Sequence, residues 1–291
     1  MRSLCALAIA FAISGCATPQ RANFSERGLL EGPRLANLYA AIERAYRSDA
    51  KFRTDYDPAD APYDARTLTK NFAYVAQRSE TQTIDGAVII EGDSIPLTRW
   101  ETPLRIWTTG DTAEDSAHIA ALMQRVARLT QLSVERADDA QEANIYLLIA
   151  DAEERRDLIS LLKSLGRESD TPLVSAWPNR PEFPCIARVF VDPTRNTLQW
   201  AMILVKAELQ GEFRKSCLTE ELIQSLGLFN DGPEIRPSIF NDDAEFIELT
   251  RHDEYLLQIL YDKRLRPGML RDEAEPIVQT IAAELLADAG S

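Results

Sequence analysis

Between Leu35 and Tyr46, apolar side chains recur at Leu35, Leu38, Tyr39, Ile42 and Tyr46, the spacing of one face of a helix. The Pro- and Asp-rich stretch YDPADAPYDARTLTKN, which begins at Tyr56, breaks that pattern and reads as a linker. Regular patterning returns from about Asn71. NFAYVAQ (71–77) and DGAVII (85–90) alternate or run apolar, and ETPLRIWTTG (101–110) reads as a strand closed by Gly110. In AHIAALMQRVARLTQL (117–132), Ile119, Leu122, Met123, Val126 and Leu129 share one face of an amphipathic helix. LSVERA (132–137) and ANIYLLIAD (143–151) predict strands, the second so continuously apolar that a central place in a sheet is expected. ERRDLISLLKSLG (154–166) predicts a helix ending at Gly166. CIARVFVDPTRNTLQWAMILVKAEL (185–209) predicts two strands around an Asp192-Pro193 turn, with Asn196 after it. DEYLLQILYDKRL (253–265) and the segment from about Asp272 to Ala287 predict two closing helices.

CLTEELIQSLGLFND (217–231) lies between those strands and the closing helices. Leu218, Leu222, Ile223 and Leu226 give a buried stripe. A purely structural reading has Ser216 capping the helix, Glu220 and Glu221 in its first turn, and Gly227 ending it. A catalytic reading begins from the spacing of Glu220, Glu221, Gln224, Gly227 and Asn230. It matches the zinc-protease pattern H-E-x-x-H-x-x-G-x-x-H only at Glu221, the general-base position, and at Gly227.

The start of the chain changes the picture of where these elements work. A basic residue at Arg2, an apolar run from Leu4 to Ile13 and the small residues Ser14-Gly15 before Cys16 describe a secretory signal too short to span a bilayer. Ile13-Ser14-Gly15-Cys16 resembles the bacterial lipobox, whose cysteine is diacylated and becomes the mature N-terminus. Two or three acyl chains give stable anchoring. The expectation is residues 1–15 as signal peptide, Cys16 as the lipidation site, and attachment to a bacterial membrane facing the periplasm. Ala17 after the cysteine favours the outer membrane. In an exported chain, the remaining pair Cys185 and Cys217 is expected to form a disulfide worth about 2–4 kcal/mol. The formal net charge of −14, with no basic run, excludes ordinary nucleic-acid binding.

Further segments carry a family resemblance. RPSIFND (236–242) is similar to the turn beneath the zinc in metzincins, with Phe240 in place of the usual methionine. LTRHDEYLLQILY (249–261) resembles the helix that closes matrixin catalytic domains, with its L-S-x-x-D start and terminal L-Y. The combination CLTEELIQSLGLFND, SIF, LTRHDEYLL and LYDKRLRPGM resembles an uncharacterised family of bacterial lipoproteins, domain of unknown function 2927. The resemblance implies an α+β, zincin-like domain: a mixed twisted sheet with a long backing helix, a degenerate active-site helix and a C-terminal helical subdomain. The expected division is 16–70 as tether and helical extension, 71–270 as the zincin-like domain and 271–291 as a C-terminal helix.

The chemistry expected from these residues is sparse. Zinc sites are built from thiolate, imidazole and carboxylate. Positions 220, 224 and 230 offer one carboxylate and two amides, so no metal and no cofactor are expected. His118 is expected on a helix, partly exposed, and His252 on the surface near a helix N-terminus. Glu220 and Glu221 are adjacent and point about 100° apart, so they cannot face each other across a glycosidic bond. Glu221 with Asp231 or Glu234 is the remaining carboxylate pair. NDDAEFIE (241–248) reads as a solvated acidic loop. The expectation is a non-catalytic envelope lipoprotein that binds a peptide, glycan or protein partner in its cleft. Glu220, Glu221, Gln224, Asn230 and Asp231 would be its recognition groups. The alternative is an envelope hydrolase with Glu221 as general base.

Overall fold

The computed structural model describes residues 31–78, 83–84, 87–88, 94–164 and 177–289. The leader, Cys16 and the tether, most of DGAVII and Gly166 lie outside the described residues. The chain opens with helices α1 (Gly32–Ser48) and α2 (Ala65–Ala76) and a short antiparallel ribbon, β1 (Thr83–Ile84) with β2 (Ala87–Val88). Then follow β3 (Leu104–Thr109), α3 (Ala113–Thr130), β4 (Val134–Arg136), β5 (Ile145–Ala150), α4 (Ala152–Ser164), β6 (Cys185–Asp192), β7 (Thr197–Lys206), α5 (Gly211–Gln224), α6 (Arg251–Leu260) and α7 (Arg271–Ala289).

The larger sheet has the order β4-β3-β5-β7-β6. Its first four members run parallel, and β6 returns antiparallel along the edge of β7. The apolar run read as a central strand is β5, third of five. Ile145, Leu147 and Ile149 point from it into the main core, and Leu148 packs on the smaller cluster around Trp177 on the other side. Helix α3 begins at a capping box between Thr112 and Asp115 and buries Ile119, Leu122, Met123 and Val126. This is the α+β architecture expected from the order of patterns, with a mixed sheet and the long helix packed on it.

Two local expectations fail. NFAYVAQ belongs not to an extended segment but to α2, which begins at Ala65 inside the stretch read as a linker. The Asp64 carboxylate accepts the Thr67 N–H, and Leu68, Phe72, Val75 and Ala76 are buried at helical spacing. The seven-residue window was too short to show that period. Helix α5 also starts earlier than Ser216. Its N-cap is Gln210, Ser216 is buried in the helix interior, and Glu220 and Glu221 stand in its C-terminal half. The macrodipole there disfavours carboxylates, so capping and dipole no longer account for them.

The C-terminal ends of β5 and β7 hold a buried polar group that the linear sequence does not reveal. Arg155 forms two hydrogen bonds with Glu208, at 2.7 and 2.9 Å, and Glu208 also accepts the Gly32 N–H. Lys206, fully buried, donates to the Arg180 carbonyl at 2.6 Å beside the Trp177 ring. Burial, and then the nearby Arg155 charge, lower the Lys206 ammonium to about 7 from its ordinary 10.5. Between those values the unfolded chain holds a proton that the folded chain has released, so stability from this group rises with pH. Its unfavourable contribution is full below about 7 and is relieved toward 10.5. Urea titrations of Lys206→Met and the parent chain between pH 6 and 10 should give stability curves that converge as pH rises. Parallel curves would show that Lys206 does not titrate in this window.

Candidate functional site

Three anchors hold helix α5. Cys217 is disulfide-bonded to Cys185 at the start of β6, as expected from their pairing in the sequence, and this ties the helix to the sheet edge. Phe213 takes edge contacts from Tyr39 and Tyr46, so α1 packs against the start of α5. Leu218, Leu222, Ile223 and Leu226 are buried in the main core, the stripe that the spacing gave.

The tail of the helix is fixed by two aromatic side chains. Trp100 Nε1 donates to the Ser225 carbonyl at 2.9 Å, and Tyr261 Oη donates to the Leu226 carbonyl at 2.8 Å. Burial raises the Tyr261 phenol well above its ordinary value, so it stays a donor. The chain then turns at Gly227, whose φ is +117° and whose added Cβ would lie 2.4 Å from the Thr98 carbonyl oxygen. Only glycine meets both demands at this position.

The five candidate residues divide by environment. Glu220 and Gln224, four apart and so on one helix face, are partly exposed. Glu221 is buried at 7 % exposure. Asn230 is also buried, and its amide nitrogen donates to the Tyr74 carbonyl at 3.2 Å and to the Arg78 carbonyl. Its backbone N–H, with that of Phe229, reaches the Val75 carbonyl. Asn230 therefore holds the C-terminal end of α2, satisfying carbonyls that a helix leaves open. Asp231, next along, is half-buried. Burial, and then the Asp242 charge, push its carboxyl up to about 6.

The turn at 236–242 is tied to α6 through one carboxylate. Asp253, fully buried, accepts from Ser238 Oγ, from the Ile239 N–H at 3.1 Å and from the Thr250 N–H at 2.9 Å. The Thr250 hydroxyl lies 2.9 Å from both Asp253 and the Pro237 carbonyl and shares its one hydrogen between them. This is the capping box of α6, and it also fixes the segment carrying Phe240, which is fully buried. In the sequence Asp253 reads only as part of the L-S-x-x-D start of this helix; Thr250 three residues before it is the signal for its capping role.

The histidines come out differently. His118 on α3 is partly exposed, as expected, and its Nε2 lies 2.9 Å from Thr219 Oγ1 on α5. Thr219 gives its hydrogen to the Lys215 carbonyl, so the imidazole Nε2–H is the donor in this contact. Burial lowers the His118 pKa. His252 is not a surface residue: it is fully buried, with Nε2 3.0 Å from the Asn71 amide and its ring edge-on to Tyr63 at 4.9 Å. Helix α2, misread in part as linker, is what covers it.

The fit to a zinc ion fails on donor chemistry. Glu220 supplies a carboxylate, while Gln224 and Asn230 could offer only neutral amide oxygens, the Asn230 amide nitrogen being bonded to the Tyr74 and Arg78 carbonyls. Among the described residues, no three His, Cys, Asp or Glu side chains are grouped to hold a metal ion. None of the helices among the described residues is long and apolar enough to cross a membrane. Compared with known families, residues 65–280 match the family model described as protein of unknown function (DUF2927). Comparison with curated proteins and with solved structures gives no match.

Proposed function

Because this chain belongs to the DUF2927 family of proteins of unknown function, we propose for it a role that needs no metal-assisted reaction: a non-catalytic, lipid-anchored envelope protein with a metalloprotease-like fold that binds a peptide, glycan or protein partner in its cleft. Asn230 carries this reading. At the position expected of a third metal ligand, its amide nitrogen is engaged by carbonyls of α2 and its neighbour. Glu220 and Gln224, one turn apart and partly exposed, are then recognition groups on the face where two ligands would stand. The order of strand, long helix, two strands, two more strands and site helix, with α4 inserted between the strand pairs, follows the zincin-like plan and supports the fold assignment. Membrane attachment through Cys16, with the body facing the periplasm of the outer membrane, completes the proposal. A net charge of −14 would keep that body away from anionic headgroups, leaving the lipid as the anchor.

Hydrogen exchange over 217–231, with and without solubilised peptidoglycan fragments or a peptide mixture, tests the binding face. Protection that disappears in Glu220→Ala/Gln224→Ala, at an unchanged thermal midpoint, is the expected result. Exchange in this helix that no envelope material alters would contradict it.

The second reading, an envelope hydrolase with Glu221 as general base, draws support from Asp231. A carboxyl raised to about 6 can hold a proton near neutral pH, as a general acid must, although the charge that acts on it is that of Asp242 rather than Glu221. Turnover of peptide or peptidoglycan by the parent chain and its loss in Glu221→Gln would establish that reading.

A further inference from the structure

We propose that the groove between α2 and α7 binds a phosphate group. The groove has a volume of about 560 Å3 and is lined by Arg66, Thr69 and Lys70 from α2 and by Arg271, Glu275 and Gln279 from α7. Three cations therefore surround one carboxylate, on a chain whose net charge is −14. Glu275 lies 3.7 Å from Arg271 and within 3.5 Å of the Gln279 amide, so it offsets only part of this charge. Arg66 and Lys70 form no ion pair among the described residues.

Their spacing sharpens the point. Arg66 and Lys70 are four apart on one exposed helix face, where like charges repel by a few tenths of a kcal/mol, about as much as an opposite pair would gain. An anion lying between them reverses that sign. The neighbouring Asp64 offsets Arg66 only in part, because its carboxylate is turned into its own helix and accepts the Thr67 N–H and hydroxyl, both at 2.8 Å.

The charge count selects the ligand class. A carboxylate would satisfy one guanidinium, whereas three cations converging on one groove match a dianion. Arg66 and Arg271 can each offer a fork of N–H donors to phosphate oxygens, and Lys70 supplies a compact third charge. The first turn of α2 also lines the groove, so the positive end of that helix dipole acts on it. The phosphate can belong to a soluble ester or to a phospholipid headgroup. Lys70 lies four residues, about 6 Å of helix rise, before Tyr74, so the groove neighbours the Asn230 anchor, but none of the cleft residues considered above lines it.

The test is calorimetric titration of the full mature chain in nonionic detergent. One arm uses inorganic pyrophosphate, and the other uses mixed micelles of phosphatidic acid, whose headgroup is a phosphate monoester, against phosphatidylcholine controls. Saturable binding of pyrophosphate, weakened about tenfold or more in Arg66→Gln/Lys70→Gln at an unchanged thermal midpoint, is the result expected for a soluble phosphate. The same loss confined to phosphatidic acid micelles assigns the site to a lipid headgroup. Lys70→Arg, which keeps the charge, should retain most of the affinity in whichever arm binds. No binding in either arm, or binding that the double variant leaves intact, overturns the proposal.

Discussion

Asp253→Ala should destabilise the protein by about 4 kcal/mol, because the Ile239 and Thr250 N–H groups it satisfies are buried and would be left without an acceptor. Each orphaned buried donor costs about 1–3 kcal/mol, and the buried Ser238 hydroxyl loses its acceptor as well. In a domain of this size such a loss lowers the thermal midpoint by about 10 °C. Asp253→Asn should cost less, because its amide oxygen can take the place of the oxygen that accepts both N–H groups. Only the contact with Ser238 then changes character. Denaturant unfolding of the two variants separates these cases. Losses below about 1 kcal/mol in both would mean that the 236–242 turn is not held through this carboxylate.

Gly227→Ala should be the second severe change. At φ +117° an alanine is strained wherever it sits, which costs about 1–3 kcal/mol. The added Cβ would also stand 2.4 Å from the Thr98 carbonyl oxygen and 3.1 Å from a Leu260 methyl. A backbone carbonyl cannot swing aside as a side chain can, so the turn itself must shift. That shift would pull the Ser225 and Leu226 carbonyls from Trp100 and Tyr261. The expected outcome is a loss of about 3 kcal/mol or more, with altered Trp100 fluorescence. A thermal midpoint within about two degrees of the parent would refute this account of the turn.

How much of this the sequence revealed depended on the range of each interaction. Helix α1, strand β5, the β6–β7 pair and the closing helices were readable because their periods are local and strong. Helix α2 was missed in part because its first turn falls in a Pro- and Asp-rich stretch, although Asp64 and Thr67 already formed its cap. The start of α5 was misplaced because GEFRKS carries no clear apolar stripe, while its early turns are held from afar by Arg214 on Asp115 and by Phe213 on α1.

The site was readable in its residue types and much less in their roles. Glu221 and Gly227 stand in the helix and turn that their spacing suggested. Asn230 is absorbed by carbonyls more than 150 positions earlier in the chain, which no local pattern shows. His252 was placed on the surface because Asn71 and Tyr63, which bury it, belong to the misread region. The Arg155–Glu208 pair and Lys206 were invisible for the same reason, since burial makes them notable and burial is a tertiary property.

The central claim is that helix α5 and the turn after it lack the donor set for a catalytic metal. Elemental mass spectrometry of the protein, purified without chelator, tests it most directly. The account predicts only trace zinc or other transition metal, far below one ion per chain, in the parent and in Glu220→Ala/Gln224→Ala alike. Near-stoichiometric metal in the parent that falls away in that variant would contradict it and return the protein to the metal-dependent hydrolases.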